Sequence, residues 1–155
     1  MSKPVALITG ASRGLGAELA RELSSTHHII AVSRTIGALE ALDDQIKKSG
    51  GSSTLAPIDL TDENAVAQLC RLIFERWGKV RLWAHTAIHA APLGPVMTID
   101  NEDWEKSVKN NVTALAKLIP MVSPLLEEDG KAVFFEDTTI MKKFSSIYGT
   151  TKAAQ

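Results

Sequence analysis

The sequence has 155 residues, of which 45% are hydrophobic and 23% charged, with 17 Lys and Arg against 18 Asp and Glu. A chain of this length buries about two-thirds of its unfolded surface, which suffices for one core and hardly for two domains. The net charge of −1 lacks the basic excess of nucleic-acid-binding proteins, and no apolar run approaches the roughly 20 residues that span a bilayer. The single cysteine, Cys70, excludes an internal disulfide. Without a secretory leader pattern, the sequence predicts one soluble, cytoplasmic domain over residues 1–155.

Short apolar runs alternate with longer amphipathic stretches along the chain. The runs predict strands at 5–8, 29–32, 54–60, 80–84 and 131–135. The stretches predict helices at 15–23, 36–48, 61–77 and 101–126, with a last one beginning near Ser145. Thr61 is the predicted N-cap of the third helix, and Pro120 and Pro124 are expected to kink the fourth. Strand–helix alternation predicts an α/β fold, an open, doubly wound, Rossmann-like parallel sheet.

A glycine-rich turn follows the first predicted strand, where residues 9–16 read TGASRGLG. Glycine permits positive φ and lets the backbone approach a ligand, and the helix starting here presents free N–H groups to a pyrophosphate. The alternative is a tight turn that needs small residues for packing alone. The position between a strand and a helix, with a second strand following, favours dinucleotide binding.

The second predicted strand ends in Ser33 and Arg34, where an acidic residue would hydrogen-bond the ribose of NAD. Ser33 has no charge, and the Arg34 guanidinium can form two hydrogen bonds with the ribose phosphate that distinguishes NADP. The alternative is a solvated surface arginine. These residues favour NADP(H) over NAD(H).

Tyr148 and Lys152 lie four residues apart and therefore share one face of the last predicted helix. A lysine ammonium beside a phenol favours the phenolate and lowers the phenol pKa from about 10. Such a tyrosine exchanges a proton with a carbonyl or alcohol oxygen while hydride moves to or from a nicotinamide. The spacing is common by chance, but its place after the fifth strand, together with the glycine-rich turn, favours a catalytic pair.

The TGxxxGxG turn and the YxxxK pair resemble the motifs of the short-chain dehydrogenase/reductase family, and the resemblance extends from Val5 to Lys152. It implies an NADP(H)-dependent oxidoreductase that interconverts a small-molecule carbonyl and a secondary alcohol, acts as a homodimer or homotetramer, and needs no metal. In this family the tyrosine is the acid/base, and the lysine holds the nicotinamide ribose. The implied cofactor-binding residues are Gly10, Ser12, Arg13, Gly14, Leu15, Gly16, Ser33, Arg34, Asp59, Leu60 and Lys152. The implied catalytic residues are Tyr148, Lys152, Asn111 and Thr138.

Three of these roles have alternatives. Arg13 is expected to reach the same phosphate as Arg34, unless both are solvated surface charges. Asp59 contacts the adenine ring in the family pattern, but it could equally cap the helix that follows. Asn111 matches an asparagine that carries a proton-relay water toward the lysine, although the neighbouring Asn110 could take that position and either could be a surface residue.

Two segments depart from the family pattern. An Asn-Asn-Ala-Gly run usually follows the fourth strand, and residues 84–87 read AHTA instead. The serine that steadies the substrate oxygen is also missing, because Asp137 falls near its position and Thr138 is the nearest hydroxyl. A carboxylate there would raise the Tyr148 pKa, so Thr138 is the predicted hydrogen-bond donor. The departures allow an alternative function, a catalytically impaired NADP(H)-binding sensor or interaction protein.

The chain ends shortly after Lys152, inside the predicted helix that carries the acid/base pair. Family members usually continue well beyond this lysine. The resemblance therefore implies that a C-terminal portion with the last strands and the substrate lid is missing, and that the 155 residues alone are catalytically incompetent.

Overall fold

The computed structural model describes residues 3–140 and 142–155, which form one parallel sheet with helices on both faces. The strands, in the spatial order β3-β2-β1-β4-β5, are β1 (Val5–Thr9), β2 (His28–Ser33), β3 (Ser52–Pro57), β4 (Val80–His85) and β5 (Leu126–Phe134). The helices are α1 (Gly14–Leu23), α2 (Ile36–Lys48), α3 (Glu63–Trp77), α4 (Asn101–Ser107), α5 (Ala114–Val122) and α6 (Ser146–Ala153). The predicted α/β, doubly wound parallel sheet is confirmed.

The sheet has a separate hydrophobic core on each face. The central strand β1 is buried along its whole length, and alternate residues point to opposite faces. Val5 and Leu7 belong to the core that contains residues of α3 and α5, whereas Ala6 and Ile8 belong to the core that contains residues of α1 and α2. This two-sided burial explains why the strands read as continuous apolar runs.

The order in which successive strands are added to the sheet reverses beside β1. The first three strands proceed from β1 to one edge, and the chain then returns to place β4 on the other side of β1. In open α/β sheets, ligands bind in the crevice at the carboxyl ends of the strands at such a point. The loops that follow β1 and β4 are therefore the expected position of a ligand-binding site.

The start of the third helix differs from the prediction. The third strand ends at Pro57 rather than residue 60, and Asp62, not Thr61, is the N-cap of α3. The Asp62 carboxylate accepts hydrogen bonds from the backbone N–H groups of Asn64 (3.0 Å) and Ala65 (3.2 Å). Thr61 and Asp62 both belong to residue types that cap helices, so their order in the sequence does not separate them.

The predicted long helix over 101–126 is divided into four segments. The π-helical segment Val108–Thr113 connects α4 to α5, and a 3₁₀ turn, Ser123–Leu125, follows α5. Single π turns inside α-helices occur frequently at functional sites. No described helix, this region included, is long and apolar enough to cross a membrane.

The fifth strand begins earlier than predicted and contains an irregularity. Val80 of β4 pairs with Leu126, but Leu82 pairs with Lys131, so the strands change register within a few residues. Asp129 and Gly130, a residue pair typical of turns, lie inside this irregular part of β5. Beyond it the register is regular up to Phe134, which brings the segment after β5 to the carboxyl edge of the sheet.

Candidate active site

A cavity of about 900 Å³ opens at the carboxyl ends of the strands. Most of the residues singled out from the sequence line it: Gly10, Ser12, Arg13, Gly14, Leu15, Gly16, Ser33, Arg34, Asp59, Leu60, Tyr148 and Lys152. Asn111 and Thr138 are not among the lining residues. The fold thus brings the glycine-rich turn and the Tyr/Lys pair to the same cavity, although more than 130 residues separate them in the sequence.

Glycine is favoured at positions 10, 14 and 16 of the turn for different structural reasons. Gly10 has φ +94°, and a Cβ atom there would lie 2.5 Å from the backbone nitrogen of Ala87. A Cβ atom at Gly16 would collide with the carbonyl oxygen of Gly10. Gly14 has φ +54° but faces open space. Gly10 and Gly16 are therefore required for close packing, and Gly14 leaves the backbone accessible from the cavity.

The N-terminus of α1 lies at the cavity and has groups that suit an anion. Its N-cap, Arg13, makes no side-chain hydrogen bond to the helix, so the first backbone N–H groups have no side-chain partner there. The helix dipole adds a partial positive charge at this end. Together with the open backbone at Gly14, these groups fit a dinucleotide pyrophosphate.

Arg13 and Arg34 are both exposed residues on the cavity wall. Ser33 is buried at the end of β2, and its hydroxyl accepts a hydrogen bond from the Thr35 backbone N–H at 3.2 Å. No carboxylate therefore occupies the end of β2, and two guanidinium groups lie nearby. Guanidinium groups are suited to form paired hydrogen bonds with a phosphate.

Asp59 lies in the turn between β3 and α3. Its Oδ1 accepts hydrogen bonds from the backbone N–H (2.8 Å) and the hydroxyl (2.9 Å) of Thr61. Burial opposes ionisation, but these hydrogen bonds and the positive charge of Arg34 outweigh it and lower the Asp59 pKa. The carboxylate thus orders the turn before α3 and lines the cavity, but it does not cap that helix, because the N-cap is Asp62.

Tyr148 forms a hydrogen bond that opposes its ionisation. Its hydroxyl donates to Oδ2 of Asp137 at 2.7 Å. Burial and this carboxylate raise the pKa of Tyr148 to about 12. Hydrogen bonds from the Thr139 hydroxyl and from Tyr148 lower the pKa of Asp137 to about 2, so the carboxylate is ionised at neutral pH.

Asp137, rather than Thr138, is the residue that contacts Tyr148. Thr138 is exposed, and its hydroxyl makes no hydrogen bond within the described residues. Thr139 determines this arrangement, since its backbone N–H and hydroxyl both donate to Oδ1 of Asp137, at 2.7 and 2.6 Å. The other carboxylate oxygen is then directed to the phenol.

Lys152 lies one turn beyond Tyr148 on α6, and both side chains line the cavity. Its ammonium donates to Oε1 of Gln155 at 2.5 Å. Partial burial lowers the Lys152 pKa, an effect that the negative charge of Asp137 opposes. The predicted sharing of one helical face is present, but the negative charge nearest the phenol outweighs the lysine.

Asn111 is buried and connects three parts of the structure. Its Oδ1 accepts a hydrogen bond from the His89 backbone N–H at 2.7 Å, and its Nδ2 donates to the His89 carbonyl at 2.9 Å. Nδ2 also donates to the Thr151 hydroxyl on α6 at 3.0 Å. Asn110 is partly exposed, and the one side-chain hydrogen bond that it makes within the described residues is to the Lys106 carbonyl. The buried member of the pair is therefore Asn111, and the surface alternative is wrong for it.

Thr86 and His85 occupy the segment that departs from the family pattern. The Thr86 hydroxyl donates to the carbonyls of Thr9 (3.0 Å) and Gly10 (3.2 Å), which fixes the start of the glycine-rich turn. His85 is buried, its Nδ1 lies 2.8 Å from the Thr9 hydroxyl, and burial with nearby Lys152 lowers its pKa to about 4. Sequence reasoning did not identify Thr86, although its position directly after β4 was the available signal.

Comparison with known proteins identifies the family of this chain. The profile of the short chain dehydrogenase family matches residues 4–155. A fatty acyl-CoA reductase of Acinetobacter baylyi is 28% identical over 97% of this chain and 53% of its own length. An NADP-dependent 3-hydroxy acid dehydrogenase of Salmonella typhi is 25% identical over 96% of this chain and 61% of its own length.

Solved structures share the fold. A short chain dehydrogenase from Pseudomonas syringae has a TM-score of 0.91 and 26% identity, covering 99% of this chain and 65% of that one. One solved structure with this fold, a metagenomic short-chain oxidoreductase, is in complex with NADP, and another, a xylitol dehydrogenase, is bound to NAD+. The chain thus spans little more than half the length of the curated relatives it matches. With its family profile, parallel sheet and glycine-rich turn, the chain belongs to the short chain dehydrogenase family.

Proposed function

We propose that the protein is an NADP(H)-dependent oxidoreductase that interconverts a small-molecule carbonyl and a secondary alcohol. The observation that supports this most is the single cavity shared by the uncapped N-terminus of α1 and the Tyr148/Lys152 pair. The first group suits a dinucleotide pyrophosphate, and the second suits proton exchange at a substrate oxygen. A cytoplasmic location and a homodimer or homotetramer remain predictions from the sequence.

In this proposal each residue acts on a stated atom. The nicotinamide supplies or accepts the hydride. In the reductive direction the carbonyl carbon gains the hydride, the π electron pair moves to oxygen, and that oxygen takes the hydroxyl proton of Tyr148. Lys152 contributes positive charge beside the phenol and holds the ribose, while Asn111 positions α6 through Thr151. Water then returns a proton to Tyr148.

Turnover measurements test the activity. In the complete protein we expect NADPH to bind, as followed by its fluorescence, and to be oxidised when carbonyl compounds of graded size and charge are added. Tight binding without oxidation of NADPH by any of them would contradict the proposal. It would favour a cofactor-binding sensor or interaction protein instead, for which the hydrogen bond of Tyr148 to Asp137 is the supporting observation.

Arg34 is proposed to select NADP(H). Replacing it by aspartate removes a guanidinium and adds a carboxylate at the end of β2, which should repel the ribose phosphate. We expect Arg34→Asp to weaken NADPH binding by roughly tenfold or more while NADH binding changes little, because charge-assisted hydrogen bonds are among the stronger ones. Titration of protein fluorescence with each dinucleotide measures both affinities.

The matched control is Arg71→Asp, which makes the same charge change on the exposed surface of α3. This variant should bind both dinucleotides as the unmodified protein does. An unchanged ratio of NADPH to NADH affinity in Arg34→Asp would remove Arg34 from the site.

A further inference from the structure

Asp137 is an ionised carboxylate with neutral hydrogen-bond donors only. Its donors are the backbone N–H and hydroxyl of Thr139 and the hydroxyl of Tyr148. Among the described residues, no lysine, arginine or histidine nitrogen lies within 4.0 Å of it. Lys142 and Lys152 act on it only through longer-range charge interactions. The carboxylate lines the cavity and has a negative charge without a paired cation.

Charge is distributed unevenly along the cavity wall. Arg13 and Arg34 lie at the end near β2 and α1, where the anionic part of a dinucleotide is proposed to bind. Glu136 and Asp137 follow β5, on the other side of β1, and line the cavity with Lys152; of these three, Asp137 hydrogen-bonds Tyr148. A neutral ketone gains nothing from the Asp137 carboxylate beside its oxygen, whereas a cation gains Coulomb energy there.

We propose that Asp137 selects substrates that carry an ammonium group on the carbon next to the reacting carbonyl or alcohol carbon. The inference rests on the proposed oxidoreductase function and names the substrate class of that same site. The reacting oxygen must contact the Tyr148 hydroxyl, which lies 2.7 Å from Oδ2 of Asp137. A neighbouring ammonium group on the substrate would therefore reach the carboxylate while the oxygen reaches the phenol.

Such a substrate would also offset the negative charge that opposes ionisation of Tyr148. Without it, the phenol proton is held by Asp137, and ionisation of the phenol is opposed. An ammonium group paired with Asp137 offsets the negative charge, frees the hydroxyl for the substrate oxygen and makes the phenolate easier to form. The positively charged substrate thereby adds to Lys152 the positive charge that is needed to favour ionisation of the Tyr148 phenol.

A pair of ketones of the same shape tests the proposal. Acetonyltrimethylammonium and neopentyl methyl ketone differ in one atom, a quaternary nitrogen in place of a quaternary carbon. In the NADPH-loaded protein we expect kcat/KM to favour the cationic ketone by about fivefold or more. Asp137→Asn should remove this preference, mainly by raising KM for the cationic ketone, while Asp129→Asn, on the irregular part of β5, should retain it.

A second measurement does not depend on turnover. Tyr148 is the only tyrosine, so tyrosine labelled with ¹³C at the ring carbon that bears the hydroxyl, Cζ, gives one NMR signal that reports on its hydrogen bond to Asp137. The cationic alcohol derived from the first ketone should shift this signal at neutral pH, and the neutral alcohol should not. The response should disappear in Asp137→Asn.

The outcomes separate the two proposals. Equal turnover of both ketones, unaffected by Asp137→Asn, would overturn the role of Asp137 and leave the oxidoreductase proposal standing. If neither ketone nor any other carbonyl compound is reduced, the oxidoreductase proposal fails, and the NMR titration alone decides whether Asp137 recognises a cation. Equal shifts of the Tyr148 signal with both alcohols would then overturn the proposal that Asp137 recognises a cation.

Discussion

Tyr148→Phe is expected to reduce the rate of carbonyl reduction by a factor of about 10² to 10⁴, the usual contribution of general acid–base catalysis. The substitution removes only the hydroxyl, whose one hydrogen-bond partner among the described residues is Oδ2 of Asp137. Binding of NADPH should be unchanged, because the glycine-rich turn and α1 are untouched. Steady-state turnover and fluorescence titration of NADPH together measure the two effects.

Thr138→Ala is the matched control for this prediction. Thr138 is exposed and does not contact Tyr148, so its loss should leave the rate unaltered. A fall in rate comparable to that of Tyr148→Phe would return the substrate-steadying role to the Thr138 hydroxyl. A Tyr148→Phe variant with undiminished turnover would exclude the phenol as the acid/base.

Gly10→Ala is expected to destabilise the fold by about 3 to 5 kcal/mol, the sum of backbone strain and overpacking. The residue has φ +94°, and the added methyl group would lie 2.5 Å from the Ala87 nitrogen and 2.8 Å from the Thr86 carbonyl carbon. These atoms are backbone, held by the hydrogen bonds of Thr86 to the end of β1, so they cannot move aside without breaking them. The free energy of unfolding from urea titration measures the loss.

Two other glycines provide controls of graded severity. Gly14→Ala meets no atom within 4 Å but has φ +54°, so we expect a cost of about 1 to 2 kcal/mol from the backbone alone. Gly37→Ala lies in α2 with open space around it and should stabilise slightly, by up to about 1 kcal/mol. If Gly10→Ala were no more harmful than Gly14→Ala, close packing would not be the reason for Gly10.

The architecture could be predicted because it depends on local patterns. Each buried strand reads as an apolar run, and the TGxxxGxG turn must stand between a strand and a helix. Tyr148 and Lys152 share a face of α6 because four residues make about one helical turn. These features need no knowledge of distant contacts.

The departures from prediction arise where two nearby residues could perform the same task. Asp137 and Thr138 follow β5 side by side, and the bonds from Thr139 decide which one faces the phenol. Asp62 becomes the helix cap because Thr61 is already bonded to Asp59. The π segment around Asn111 is equally hidden, since one wider turn leaves the apolar pattern of the flanking helices intact.

The buried amide of Asn111 has a consequence for motion. It hydrogen-bonds both backbone groups of His89 after β4 and the Thr151 hydroxyl in α6, so neither segment can open without leaving polar groups unsatisfied in the interior. The β4 loop and the helix carrying Tyr148 should therefore unfold locally as one cooperative unit, with common protection of their amides against hydrogen exchange. Tyr148 is then held at the cavity only while the segment after β4 is also folded.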